Sequence, residues 1–201
     1  MRGAALLAWL ASAKPDVRDA AIEEYLGIAS PPASLAPPGD HLIGYHAGGV
    51  DPIVHALREA PVGPGDVLVD LGSGLGKVVL LAHLITGARA RGIELQSELV
   101  EQARAAAARL GANVDFTLSD ARHADLDDGT VFFLYLPFTG PVLAEVLHRL
   151  HAVAARRAIV VCALGVDLER HAPWLTRRPL DSFWLAIYDS AVAGALPRAS
   201  R

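Results

Sequence analysis

Three carboxylates and three glycines carry the chemically informative spacing in this chain of 201 residues. The stretch VLVDLGSGLGKVV (67–79) sets Asp70 two positions before Gly72, with Gly74 and Gly76 following at intervals of two. Glycine is cheap only where φ is positive or where something approaches the backbone closely. Three of them behind an acid imply a ligand lying on the turn. A dinucleotide fingerprint has its third glycine one position later, as G-x-G-x-x-G, and seats a pyrophosphate on the helix amino terminus. Position 77 is Lys77, so that fingerprint fails. The tighter spacing suits an amino acid joined to a nucleoside without phosphates. Asp70 can hold an ammonium group, directly or through water, while the glycines let a bulky carboxylate and thioether rest on the backbone. Glu94, in ARARGIEL, can accept both hydroxyls of a ribose, and Asp120, in TLSDAR, is placed to bond an adenine amino group.

Those residues need strand ends to hold them, and the pattern supplies these. Near-continuous apolar runs such as VLVDL and AIVVCAL read as strands buried on both faces. Strands are expected at 66–71, 90–94, 113–118, 130–136 and 157–163, and helices at 76–86, 96–110 and 139–154. This alternation implies right-handed crossovers and a parallel sheet. FWLAIYDS (183–190) reads as a last strand, antiparallel near the edge. The expected class is α/β: a doubly wound, mostly parallel sheet. Two short helices at 3–12 and 16–26, a proline-rich connection (30–41) and a helix at 50–60 precede it. Residues 1–45 form a helical extension and linker, 46–192 the ligand-binding domain, and 193–201 a tail.

A net charge of −4 and a pI near 6.0 give no electrostatic footprint for nucleic acid or an anionic membrane. Cys162 lacks an intramolecular disulfide partner, which fits a reducing compartment and a cytoplasmic location. MRGAALLAWLASA mimics a secretory signal, but its apolar run is at the short limit for one, which favours an amphipathic or partly buried helix.

The glycine turn, GIEL and SDAR, in order on three strand ends, resemble the class I, seven-strand S-adenosylmethionine-dependent methyltransferases. DLGSGLGKVVLLAH is similar to the turn of the non-SET histone lysine methyltransferases (disruptor of telomeric silencing type) and their bacterial relatives. The resemblance implies S-adenosylmethionine as cofactor, S-adenosylhomocysteine as product, and cofactor contacts from Asp70, Gly72, Ser73, Gly74, Gly76, Glu94, Leu95, Asp120 and Ala121. In that branch a loop before the first strand closes over the methionine end. GYHAGGVDPIVHAL (44–57) occupies its place and brings Tyr45 and His46 near the cofactor. The branch's Asn-Asn-Phe stretch reads FLYLPF here and its basic tail is missing, so histone methylation does not carry over.

Methyl transfer from a sulfonium is a direct displacement, in which alignment alone supplies on the order of 7–11 kcal/mol. Tyr135, ending the fourth strand, would orient the nucleophile or touch the cofactor, with Pro137 and Phe138 as pocket wall. His46 could serve as general base, since an imidazole titrates near neutrality. Lys77 reads as solvated, His123 as a loop residue, Asp125, Asp127 and Asp128 as a turn, and His148 and His151 as a helix surface without metal. The acceptor is expected to be a small molecule or a protein side chain rather than nucleic acid or membrane, with a homodimer possible. An aminopropyltransferase and a non-catalytic nucleoside-binding domain are the alternatives. Three further expectations follow. Glu94, serving a ligand, contributes little to stability. Residues 1–45 fold over the open face of the strand ends as a lid, burying Leu6, Leu7, Trp9, Leu10, Ile22, Tyr25 and Leu26 there. The domain without residues 1–40 stays folded and binds nucleoside but loses the methyl acceptor.

Overall fold

The computed structural model describes residues 1–28, 30–31, 35, 39–135 and 137–191, so the tail and much of the proline-rich connection lie outside the described residues. Helices α1 (Gly3–Ser12), α2 (Pro15–Leu26) and α3 (Val50–Glu59) lead into β1 (Val67–Leu71). Then follow α4 (Lys77–Thr86), β2 (Arg89–Glu94), α5 (Ser97–Leu110), β3 (Asp115–Leu118), β4 (Val131–Tyr135), α6 (Gly140–Ala154), β5 (Val160–Leu164), β6 (Leu175–Arg177) and β7 (Leu185–Ser190). Local chemistry explains the punctuation. Pro15 occupies the first turn of α2, where its missing N–H costs nothing, and Gly27 ends that helix in the left-handed conformation. Gly87 and Gly111 end α4 and α5 in the same way.

The seven strands run in the order β3-β2-β1-β4-β5-β7-β6, parallel except for β7, which pairs antiparallel with β5 and β6. The expected class is therefore observed. β6 escaped the reading because three residues, only one of them buried, leave no periodicity to detect. Order reverses between β1 and β4, the switch point at which an open α/β sheet offers a crevice. Register then selects the crevice-facing side chains. Asp70 pairs with Gly92 on one side and Phe133 on the other, and Tyr135 pairs with Leu164. Because side chains alternate faces along a strand, Asp70, Glu94, Phe133, Tyr135 and Leu164 share the face covered by α3 and α4. The opposite face packs Val69, Leu71, Phe132 and Val161 against α6.

The amino-terminal helices do not lie over the strand ends. Leu6, Leu10, Ile22 and Leu26 are buried in the same cluster as Val79, Leu80 and Leu84 of α4. Burying an aliphatic side chain contributes roughly 1.5–3 kcal/mol, so α1 and α2 act as a further layer of the core. Their removal would expose α4, contrary to the expectation that residues 1–40 are dispensable for folding. Among the described residues, none before Leu42 lines the crevice. The cover over it is instead a strap at 42–48. Ile43 N–H donates to the Pro137 carbonyl at 3.1 Å, and Leu42 bridges Phe138.

Candidate active site

The floor of the crevice is the β1–α4 turn. Gly72 and Ser73 donate their N–H groups to the Ile93 carbonyl at 2.9 and 3.0 Å, which locks this turn to β2. Gly72 and Gly74 take positive φ, 82° and 53°. A methyl on Gly72 would sit 2.5 Å from Pro137 Cβ, and one on Gly74 would sit 2.7 Å from the Tyr45 ring. The glycines are thus required by the chain's own strap and wall, in addition to any ligand. Gly76 faces inward, against Phe116.

Two carboxylates stand at adjacent strand ends. Asp70 is 3% exposed. Burial first, and the charge of Glu94 second, push its pKa up to about 8. Glu94 is also buried but fully engaged: Oε2 accepts from Gly74 N–H at 2.8 Å, and Oε1 from Leu95 and Gln96 N–H at 2.8 and 3.0 Å. It therefore clamps the glycine turn to the β2–α5 turn, which corrects the expectation that it serves only a ligand. The Ser73 hydroxyl, lining the same crevice, is buried with no hydrogen-bond partner among the described residues.

Asp120 and Ala121 line the far end, after β3. The Asp120 carboxylate accepts from Arg122 Nε and Nη2 at 3.0 and 2.6 Å, and the Arg122 side-chain hydrogen bonds are the main cause holding it below the ordinary carboxylate range. Leu95 is exposed at the rim. Over the turn, Tyr45 is partly buried, and burial followed by the charge of Glu23 raises its phenol to about 12, so it stays neutral. His46 lines the crevice from an exposed position, Tyr135 lies half-buried beside Gly48, and Pro137 and Phe138 form the wall. All the expected site residues except Gly76 line this one crevice.

Lys77 departs from expectation. It is 6% exposed, and its ammonium donates to the Gly48 carbonyl at 2.7 Å and to Glu23 Oε1. Sequence reasoning also missed Leu42, Ile43, Ile53, Val142 and Leu164 as lining residues. The helical phase of Ile53 could have flagged it; nothing local marks Leu42 or Ile43. Elsewhere Asp127 pairs with Arg156, Asp128 with Arg91, and the His151 ring stacks on Trp174 at 4.9 Å.

Comparison with known proteins agrees with this geometry. Residues 68–157 match the family described as methyltransferase domain. The fold resembles an RNA methyltransferase from Salinibacter ruber solved with S-adenosyl-L-homocysteine (TM-score 0.58, 29% identity, 77% of this chain and 98% of that one). It also resembles a SAM-dependent methyltransferase from Aquifex aeolicus (TM-score 0.53, 17% identity, 69% and 88%), a likeness of fold alone. An uncharacterized protein of Methanocaldococcus jannaschii is 36% identical over 63 residues, a match that spans 31% of this chain and 28% of that protein. The chain carries a class I, S-adenosylmethionine-dependent methyltransferase domain. The crevice suits that cofactor: a buried carboxylate and an orphaned hydroxyl face it, beside a turn that other groups approach closely.

Proposed function

We propose that this protein transfers the methyl group of S-adenosylmethionine to an amine or hydroxyl of a small molecule or protein side chain. The observation that carries the proposal is the buried Asp70 carboxylate at the switch point, beside Glu94 in the crevice that Tyr45 also lines. The cofactor supplies a methyl group already activated on sulfonium. Asp70 would hold its ammonium, the Ser73 hydroxyl its carboxylate, and Glu94 its ribose. Asp120 and Ala121 would flank the adenine, with Leu95 at the rim. Tyr135 and the strap would align the incoming nucleophile, and His46 would take its proton.

The lining favours a neutral or cationic acceptor. Its carboxylates are Asp70, Glu94 and Asp120, and Lys77, the cation among the described lining residues, is already bonded to Glu23 and Gly48. Similarity of the turn and strap to bacterial relatives of the non-SET histone lysine methyltransferases supports an amine. RNA is the second reading, supported by the likeness to the Salinibacter ruber enzyme. Calorimetric titration should show S-adenosylhomocysteine binding and much weaker NAD binding; the reverse would end the methyltransferase reading. Methyl-tritiated cofactor offered with RNA and with lysine peptides or small amines separates the acceptors, and label entering RNA would favour the second reading.

A further inference from the structure

We propose that α2 is a positioning element for the cofactor crevice, acting through the Lys77–Glu23 pair on the strap at Gly48. The proposal rests on the cofactor reading above. Lys77 sits at the first position of α4, where the helix dipole disfavours a cation. A buried ammonium is costly unless it is paired and hydrogen-bonded, and an apolar residue would satisfy the helix better. What the lysine gains is reach. Its backbone continues directly from Gly76 of the turn, while its head group joins the Gly48 carbonyl of the strap and Glu23 of α2.

α2 makes two more ties to this region. Asp19, one helical turn before Glu23, accepts the Val50 N–H at 2.7 Å and so holds the start of α3. Arg18 forms an ion pair with Asp51. Glu23 also lies close enough to Tyr45 for its charge to act on the phenol, and the Tyr45 ring rests on Gly74. The glycine turn and the strap, the two walls that must close on the methionine end of the cofactor, are therefore both referenced to α2. An element that lines no part of the crevice sets its width.

The test uses the full chain. Glu23→Gln and Lys77→Met should each weaken S-adenosylhomocysteine binding roughly tenfold, a coupling typical of contacting residues. In the ligand-free protein they should speed amide exchange across 44–50 and leave β5 and β7 protected as before. In a Tyr45→Ala background, Glu23→Gln should cost no further affinity. A lowered melting temperature with unchanged affinity and unchanged exchange at 44–50 would make the pair mere packing and overturn the proposal. So would an equal loss in the Tyr45→Ala background, because the effect would then bypass the strap. Failure of the unaltered chain to bind S-adenosylhomocysteine would sink the cofactor reading instead, and the exchange measurements would still decide whether α2 braces the strap.

Discussion

The ends of β1 and β2 carry one buried carboxylate each, and the chain treats them in opposite ways. Glu94 is wrapped by three backbone N–H groups from two turns, so its charge is compensated before any ligand arrives. Asp70, one strand away, has burial and a neighbouring carboxylate acting against its ionised form. Neighbouring positions on one sheet thus divide the labour: one acid holds the crevice in shape, and the other is left for a cation to satisfy. A carboxylate at a strand end signals a site, but only its partners reveal whether it is scaffold or ligand contact.

The largest expected effect breaks the scaffold. Glu94→Ala should destabilise the ligand-free protein by about 3 kcal/mol, since buried donors left without an acceptor cost about 1–3 kcal/mol each and solvent rescues those nearest the rim. Thermal unfolding without ligand checks this, and an unchanged midpoint would show the two turns to be self-supporting.

Asp70→Asn should do the opposite at pH 8. Cofactor affinity should fall by about 2 kcal/mol, the range for hydrogen bonds to charged groups, while the ligand-free fold gains stability. Paired melting curves and calorimetry separate the two acids: parallel behaviour of both variants would erase the contrast.

Titration sharpens the comparison. The folded pKa of Asp70, about 8, lies above its unfolded value. Its contribution to the ligand-free fold is therefore present below about pH 4 and is lost as pH rises toward 8. Binding an ammonium requires the ionised form, so S-adenosylhomocysteine affinity should rise with pH across that window, by at most about tenfold per unit. Proton release on binding, read from calorimetry in buffers of different ionisation enthalpy, should accompany this and vanish in Asp70→Asn.

The smallest effect belongs to the end of β3. Asp120 is already held by Arg122, so Asp120→Ala should cost no more than about 1 kcal/mol of affinity for the adenosine moiety, a neutral hydrogen bond's worth. A loss as large as that of Asp70→Asn would show that the guanidinium yields the carboxylate to the ligand.

The parts of the site legible in the sequence are those in which one residue type is almost forced. Left-handed turns at Gly72 and Gly74 demand glycine, and an acid closing a run of buried aliphatics has few reasons to be there except chemistry. Both signals are local, so Asp70, the turn, Glu94 and the doubly wound sheet could be read from spacing alone. Lys77 was misread for the complementary reason. A lysine opening a helix is ordinarily solvated, and only Glu23, 54 positions away, and the Gly48 carbonyl make its burial tolerable.

The sequence by itself determined the alternation of strands and helices, the switch-point turn and the acids at three strand ends, because each is encoded within a few residues. Tertiary structure alone decided what covers the crevice and which acid is free. The strap at 42–48 is held by the Ile43 N–H bond to the Pro137 carbonyl, with His41 just before it accepting from Thr139 N–H, and α1 and α2 go to α4, whose apolar surface they remove from water. Hydrophobic burial has no direction and pairs whichever faces remain open once the sheet has formed. Where the amino-terminal helices settle is therefore a property of the assembled surface rather than of their own sequence.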